Sequence, residues 1–406
     1  MEEWKTYKVG DICSSISETY KSKSKSVVLI NTSDVLEGRC LNHEFVPNKD
    51  LKGQFKKVFK FGDILYSEIR PANKRFAYID FDATDYIAST KLMVLRNNDK
   101  VTNRFLYHYL KSESTIAELQ ALAESRSGTF PQITFSELSQ LEISIPDIET
   151  QLAISSFIDT LESKIELNRQ INDNLEQQAQ VLYKSWFTDF EPFKNGKFIE
   201  SELGLIPEGW KVGKIKDIIS LLSGFPFKSS DFVQNGDYRL ITIKGVQDGY
   251  LDVTSADRLS SFPPKMPEYC ILNIGDILIS LTGNVGRICI VDRNKLLLNQ
   301  RVAILAPKDP RDSFYTYTMF RSESFKNELI HLARGTAQLN LSPIETGDKL
   351  TVIPPDSVLE AFAKISKGTF DQYISIKMEN IRLSEMRDTL LPKLISGELK
   401  INEIDC

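Results

Sequence analysis

Soft metal ligands are too few and too scattered to build a site. The five cysteines (Cys13, Cys40, Cys270, Cys289 and Cys406) include no C-x2-C pair, and His43, His108 and His331 lie far apart. A structural zinc site needs close-spaced thiolates or imidazoles, and a disulfide framework needs dense cysteine in a short secreted chain. The expectation is no metal site and reduced cysteines. Long apolar runs are missing too. None approaches the ~18 residues of a membrane span, and the start, Met1-Glu2-Glu3-Trp4-Lys5, is acidic and lacks the apolar core of a secretion signal. A soluble, cytoplasmic protein with no membrane partner is expected.

Cofactor motifs are also lacking. There is no G-x-G turn between strand and helix for S-adenosylmethionine or a dinucleotide, and no G-x4-G-K-[ST] for ATP. The Asn/Asp-Pro-Pro-aromatic signature of amino-group methylation is absent; Phe262-Pro263-Pro264-Lys265 and Ile353-Pro354-Pro355-Asp356 come nearest, with the wrong flanks. One formal match to a metal nuclease exists, Pro146-Asp147 followed by Glu162-Ser163-Lys164. That chemistry needs its carboxylates and lysine to converge on one Mg²⁺. On a continuous helix Asp147 and Glu162 stand ~20 Å apart, so the pattern is read as structural. No cofactor and no catalytic residue is expected.

What is present begins with size and charge. A chain of 406 residues exceeds one ordinary domain. Its net charge of −5 argues against an unspecific polyanion binder. Local basic patches still meet phosphates on such a chain, with a partner supplying the rest of the grip.

The sequence is written twice. Trp4-Lys5 with Val9, Asp11-Ile12 and Ser14 returns as Trp210-Lys211 with Ile215, Asp217-Ile218 and Ser220. Leu29-Ile30-Asn31 with Val35 and Gly38 returns as Leu240-Ile241-Thr242 with Val246 and Gly249. Gly62-Asp63-Ile64-Leu65 recurs unchanged as Gly275-Asp276-Ile277-Leu278, Gly128-Thr129 as Gly335-Thr336, and Ile145-Pro146 as Ile353-Pro354. The order is collinear, so this is a duplication of a unit far longer than a solenoid repeat of ~20–50 residues. In each unit, runs rich in Val, Ile, Leu and Tyr (27–30 and 91–95; 238–243, 287–291 and 301–305) alternate with turn residues. They read as strands of a compact α+β domain.

After each domain comes one long helix. The first starts beyond Pro146, with Asp147 or Thr150 as N-cap, and meets no Gly or Pro until Pro192. Ile154, Ile158, Leu161, Ile165, Asn168, Asn172, Leu175, Ala179, Leu182 and Trp186 alternate in steps of four and three. In the second helix Phe362, Thr369, Ile376, Leu383 and Leu390 fall seven apart, and Ile365, Gln372, Glu379 and Met386 are read as the alternate positions. Such alternation is a coiled-coil seam, and polar residues inside it fix register. An antiparallel intramolecular pair brings the two polar centres together. The expected organisation is domain 1–146, helix 147–190, linker 191–209, domain 210–354 and helix 355–406.

Local words add a resemblance. Leu182-Tyr183-Lys184-Ser185-Trp186-Phe187 with Asp189-Phe190-Glu191-Pro192 closes the first helix. Glu202-Leu203-Gly204 with Ile206-Pro207-Glu208-Gly209-Trp210 opens the second unit, and Lys393-Leu394-Ile395-Ser396-Gly397-Glu398-Leu399 closes the second helix. With the duplicated architecture, these words resemble the specificity subunits of type I restriction-modification systems along essentially the whole chain. Gln151 stands where that family likes it at a helix start; Leu359 replaces it in the second copy. The resemblance implies two target-recognition domains, each reading half of a split, asymmetric site in double-stranded DNA. It also implies helices that set the spacer, two adenine methyltransferase subunits as partners, and restriction-translocase subunits joined through them. Half-sites ~34 Å apart fit such a protein, and a forty-residue helix is ~60 Å long. Two other readings stay open: a specificity subunit of a related type II-like methylase-nuclease system, and a structural adaptor that reads no DNA.

The resemblance places base reading in loops, which makes polar and basic turn residues the candidates. In the first copy these are Lys21, Lys23, Lys25, Arg70, Asn73, Lys74, Arg75, Arg126, Thr129 and Gln132. In the second they are Lys228, Ser229, Asn284, Arg287, Asn299, Gln300, Arg301, Arg334, Thr336 and Gln338. Arg suits guanine, Asn and Gln suit adenine, and Lys suits phosphate.

Overall fold

The computed structural model describes every residue except 1–3, 23, 50, 52, 127, 128, 336, 337 and 404–406. The chain divides into two compact units, Met1–Ile165 with Leu383–Cys406, and Glu166–Arg382. Each holds one copy of the duplicated domain together with a segment of both long helices.

In the first unit Lys5–Lys8 pairs antiparallel with Glu142–Ile145, closing the domain with Lys5 opposite Ile145. Between them lie two four-stranded sheets. One runs Cys13–Ile16, Leu92–Asn97, Ile64–Ser67, Phe76–Tyr78, all antiparallel. The other runs Phe45–Pro47, Ser26–Ile30, Tyr86–Ser89, Phe55–Lys57, with its central pair parallel. The second unit repeats this order. Lys211–Lys214 pairs with Leu350–Ile353. One sheet runs Ile219–Ser223, Val302–Pro307, Ile277–Ser280, Ile288–Ile290. The other runs Arg258–Leu259, Tyr238–Ile241, Leu296–Leu298, Ile271–Leu272, again with a parallel central pair.

The repeated words have mechanical causes. Gly62 and Gly275 sit at φ +86° and +95°, a region that favours glycine. Their N–H groups donate to Ile79 O and Val291 O at 2.8 and 2.9 Å. The following Asp63 and Asp276 carboxylates accept from the Lys60 and Asn273 amides at 2.9 and 2.7 Å. The Ile-Leu pair then starts a fully buried strand in each copy. Asp11 and Asp217 act likewise, accepting from the amides of Lys8 and Lys214.

The segment expected to be a linker has structure of its own. It carries the antiparallel hairpin Phe198–Ser201 with Gly204–Pro207. The reason is aromatic packing: Trp210 meets the Phe190 and Phe193 rings at centroid distances of 5.3 and 5.2 Å.

The first long helix is Ile148–Tyr183, followed by a π-helical turn at Lys184–Thr188; the second is Asp356–Ser396. Asp147 is the first cap, accepting from the Thr150 amide and hydroxyl, each at 3.0 Å. Buried Gln151 accepts from Thr102 N at 2.8 Å and donates to Pro146 O at 2.9 Å. The second helix starts instead on the Pro355 carbonyl, which takes the amides of Val358 and Leu359. Leu359 replaces those bonds by apolar packing.

Along the first helix Ile154, Ile158, Leu161, Ile165, Asn168, Asn172 and Ala179 are buried, with Leu175 and Leu182 half-buried. In the first unit Ile154 and Ile158 share a core with Leu390, Leu391, Leu394 and Ile395 of the second helix. In the second unit Trp186 packs on Phe362 at 5.7 Å and Asn168 Nδ2 donates to Glu379 Oε2 at 2.7 Å. The two segments of that unit therefore run antiparallel.

The second seam needs a correction. Thr369, Ile376, Leu383 and Leu390 are half-buried, but Ile365 is 58% exposed, Met386 is 47% exposed and Gln372 is exposed. Glu379 is half-buried and meets Asn168, as the expected seam has it, but beside the other three the inward residue lies one later, at Ser366, Tyr373 and Arg387. A seven-residue step counted from apolar Ile365 falls one position short of these inward residues. Ser366 satisfies its hydroxyl on Phe362 O at 2.8 Å, and Tyr373 shares a hydroxyl contact with Tyr317 at 3.1 Å. Both side chains are then free to go inside.

Because Leu394 is fully buried in the core of the first unit, Leu394→Ala is expected to destabilise that unit by about 2–5 kcal/mol. Hydrogen exchange checks this: protection should fall over Asn103–Leu110 and stay unchanged over Ser313–Arg321. Equal loss in both helices contradicts the division into units.

Candidate nucleic-acid interface

One edge recurs in both units, built from three chain segments. In the first, Glu68 N donates to Lys91 O at 3.0 Å, Ile133 N to Glu68 O at 2.9 Å, and Arg70 N to Pro131 O at 3.1 Å. In the second, Leu281 N donates to Arg301 O at 2.9 Å, Leu341 N to Leu281 O at 2.7 Å, and Gly283 N to Leu339 O at 2.9 Å. The ladder is the same bond for bond. It aligns Glu68 with Leu281, Arg70 with Gly283, Lys91 with Arg301 and Ile133 with Leu341.

This edge gathers many of the candidates. Around the first copy stand exposed Arg70, Asn73 and Thr129, and Gln132, whose Oε1 accepts from Lys91 Nζ at 3.2 Å. Ala72 N donates to Gln120 on helix Glu113–Arg126, which ties the 70–75 turn to that helix. Lys74 and Arg126 pair with Glu113 and Glu137, so part of their charge is met within the protein. Around the second copy stand exposed Asn284, Gln300, Arg301 and Gln338, with Asn299 half-buried. Arg334 is 81% exposed and pairs with Glu345 at 2.9 Å. Lys228 and Ser229 are exposed and close in sequence to Phe225, whose carbonyl accepts from Gln300 N at 3.1 Å.

Other candidates stand apart. Lys21 and Lys25 flank the Asp85 end of strand Tyr86–Ser89, where Tyr20 Oη donates to Asp85 Oδ1 at 2.6 Å. Lys91 lies at the other end of that strand, ~20 Å away at the rise of an extended chain. Arg75 turns inward and donates to Ser33 O and Val35 O at 3.1 and 3.4 Å. Arg287 lies beside the edge, where Ser280 N donates to its carbonyl at 3.0 Å, and its guanidinium donates to Gln247 Oε1 at 2.6 Å. Lys23 and Thr336 lie outside the described residues. Lys91, which the ladder aligns with Arg301, stands at the same edge and is not among the sequence candidates.

Comparisons with known proteins agree with this architecture. Residues 1–177 and 207–355 match the family model for the type I restriction modification DNA specificity domain. The chain belongs to that family. The HindI specificity subunit of Haemophilus influenzae is 34% identical, over 98% of this chain and 100% of that protein. The MjaIX specificity subunit of Methanocaldococcus jannaschii is 27% identical, over 88% and 82%. A crystal structure of a type I restriction-modification system S subunit from M. genitalium superposes with a TM-score of 0.55 at 17% identity, covering 97% of this chain and 96% of that one. That likeness shows the fold. This specificity subunit is a DNA-recognition component, not a catalytic one. Among the described residues no helix is long and apolar enough to cross a membrane.

Among the described residues the specificity subunit holds one cluster with ligand chemistry. His108, Asp159 and Glu162 bring an imidazole nitrogen and two carboxylates within 4.8 Å of one another. Their charge is already spoken for: Arg104 forks onto Asp159, which also meets His108 Nε2 at 2.9 Å, and Lys111 pairs with Glu162. A cation there meets two resident cations first. Glu162, the acid of the nuclease-like pattern, is thus a structural partner of Lys111.

Burial pushes the His108 imidazole down to about 4, against the opposing pull of its bond to Asp159. Burial works to raise the Asp159 carboxyl, but the His108 and Arg104 bonds outweigh it and leave it at about 2. The unfolded imidazole takes its proton at about 6.5, while the folded one resists until about 4. Between those values the unfolded state binds more protons, so stability is full above the upper one and falls as pH drops. We expect about 2 kcal/mol of loss from this group between pH 7 and 5. Denaturant titration at both pH values checks it, and a His108→Gln chain should show a smaller difference. An unchanged difference in that variant contradicts the assignment.

Proposed function

We propose that this chain reads DNA sequence for a type I restriction-modification complex and performs no chemistry itself. Each domain, 1–146 and 210–354, reads one half of a bipartite, asymmetric target. The helices, 147–190 and 355–406, set the unread spacer and dock two methyltransferase subunits, through which restriction-translocase subunits join in the cytoplasm. The observation that carries this reading is the duplicated three-segment edge. Its backbone ladder is identical in the two units, yet it presents Arg70, Asn73, Lys91 and Gln132 in one and Asn284, Gln300, Arg301 and Gln338 in the other. Equal skeletons with unequal donors and acceptors are what two different half-targets require.

Arg70 offers a sharp test. It holds φ +43° at the ladder position where the second copy has Gly283 at φ +75°. A left-handed non-glycine residue costs roughly 1–2 kcal/mol. Co-expression with the neighbouring methyltransferase gene in an unmethylated host, followed by genome-wide mapping of modified adenines, should give a split motif with a fixed gap. Arg70→Gly should raise the stability of the chain by about 1 kcal/mol. It should also relax one position in one half of the motif. A variant that keeps the full motif removes Arg70 from the reading set. Absence of any motif, with a complex formed, leaves a structural adaptor.

A further inference from the structure

The long helices do more than carry the domains: in both units they reach the loops behind the candidate reading residues. In the second unit the turn Gln247-Asp248-Gly249 is the meeting point. Arg287 Nη1 donates to Gln247 Oε1 at 2.6 Å, and Gly249 N donates to Ile288 O, the next residue, at 2.8 Å. The same turn is gripped from the helices. Lys377 Nζ and Tyr373 Oη donate to Gly249 O at 2.8 and 3.3 Å. Asp248 accepts from Lys326 Nζ at 2.6 Å and from Arg321. Arg321 Nε in turn donates at 3.1 Å to Glu176 on the first long helix, which also takes the Tyr317 hydroxyl at 2.6 Å. Arg321 is therefore shared between a helix carboxylate and the turn that seats Arg287.

The first unit is wired to the same plan with different side chains. Gly38 N donates to Phe76 O at 2.9 Å, as Gly249 does to Ile288. Arg75, at the place of Arg287, holds the carbonyls of Ser33 and Val35 just before that turn. Beneath Gly38 lies Tyr107, whose hydroxyl occupies the space a Cβ at that position would need. Lys111 and Arg104 lie 4.6 and 5.4 Å from the Tyr107 ring centroid, held by Glu162 and Asp159 of the first long helix. A plan kept through two different sets of side chains points to something beyond local packing.

We infer that Glu176, Tyr373 and Lys377 are positioning residues for Arg287: side chains on the helices seat the turn that holds its guanidinium, and so set which base it accepts. The inference rests on the DNA-reading proposal above. It makes sequence preference a property of the helices as well as of the loops. Contact geometry at a base edge tolerates little displacement, so a shifted turn changes selectivity at one base pair and leaves the rest of the grip intact.

The test uses the full chain with its methyltransferase partner, mapping modified adenines for wild type, Gln247→Ala and Glu176→Gln, with the melting temperature of each complex recorded. Gln247→Ala removes the acceptor of Arg287 directly; Glu176→Gln acts two bonds away. Both should methylate sites mismatched at the same single position of one half-target about tenfold more often than wild type, with the other half read as before. A Glu176→Gln complex that keeps the wild-type motif, or methylates it uniformly less, overturns the role given to the helices. Should that variant fail to fold, Lys377→Met severs a different link to the same turn and carries the same two outcomes. A wild-type complex with no split motif sinks the underlying reading instead, which is a distinguishable result.

Discussion

The four-residue ladder that closes each domain governs everything downstream of it. Lys5–Lys8 with Glu142–Ile145, and Lys211–Lys214 with Leu350–Ile353, join the two ends of a long excursion of chain. Each long helix begins three residues after its closing strand, at Ile148 and Asp356. So short a connection, with a proline in it, leaves the helix little freedom of direction. Polar groups at the first helix start then complete the weld. Gln151 spends its amide on Thr102, Lys100 and Pro146, and Asp159 and Glu162, further along, take Arg104 and Lys111 from the neighbouring domain helix. Removing one partner of such a pair leaves the other's charge uncompensated beside the domain core.

Much of this was legible because the repeated words do backbone work. Gly-Asp-Ile-Leu survives in both copies since the glycine needs positive φ and the aspartate caps its own turn. The long helices announced themselves by length and by the step pattern. The second seam slipped by one residue beside Ser366, Tyr373 and Arg387 because the seven-residue step was counted from apolar Ile365. The helix surface decides otherwise wherever a polar side chain finds a partner. The 191–209 segment carried no strand signal strong enough to be read; its hairpin is held by an aromatic cluster gathered from both flanks.

The candidate site was legible by position more than by residue type. Turn chemistry located the Arg70 and Asn284 corners and the Gln132 and Gln338 segments, which the ladder brings together. It could not say that Lys21 and Lys25 belong to the far end of a strand, since that depends on which strands pair. Nor could it tell that Arg75 and Arg287 are seated by oxygens of the chain itself. Nor did it mark Lys91, which the ladder aligns with Arg301.

Duplication also explains how one fold can serve two unlike half-targets. The bonds the two copies share are between backbone groups, while the side-chain bonds across the edge, Lys91 to Gln132 in one and Thr282 to Asn340 in the other, differ. The second copy puts glycine where the backbone turns left-handed; the first puts an exposed arginine there, against the conformational preference of an L-residue. Selection for stability alone favours glycine at that corner. A scaffold that separates backbone support from side-chain display in this way lets each half diverge without refolding. The helix contacts behind the turns then set the limit on how far the display can drift.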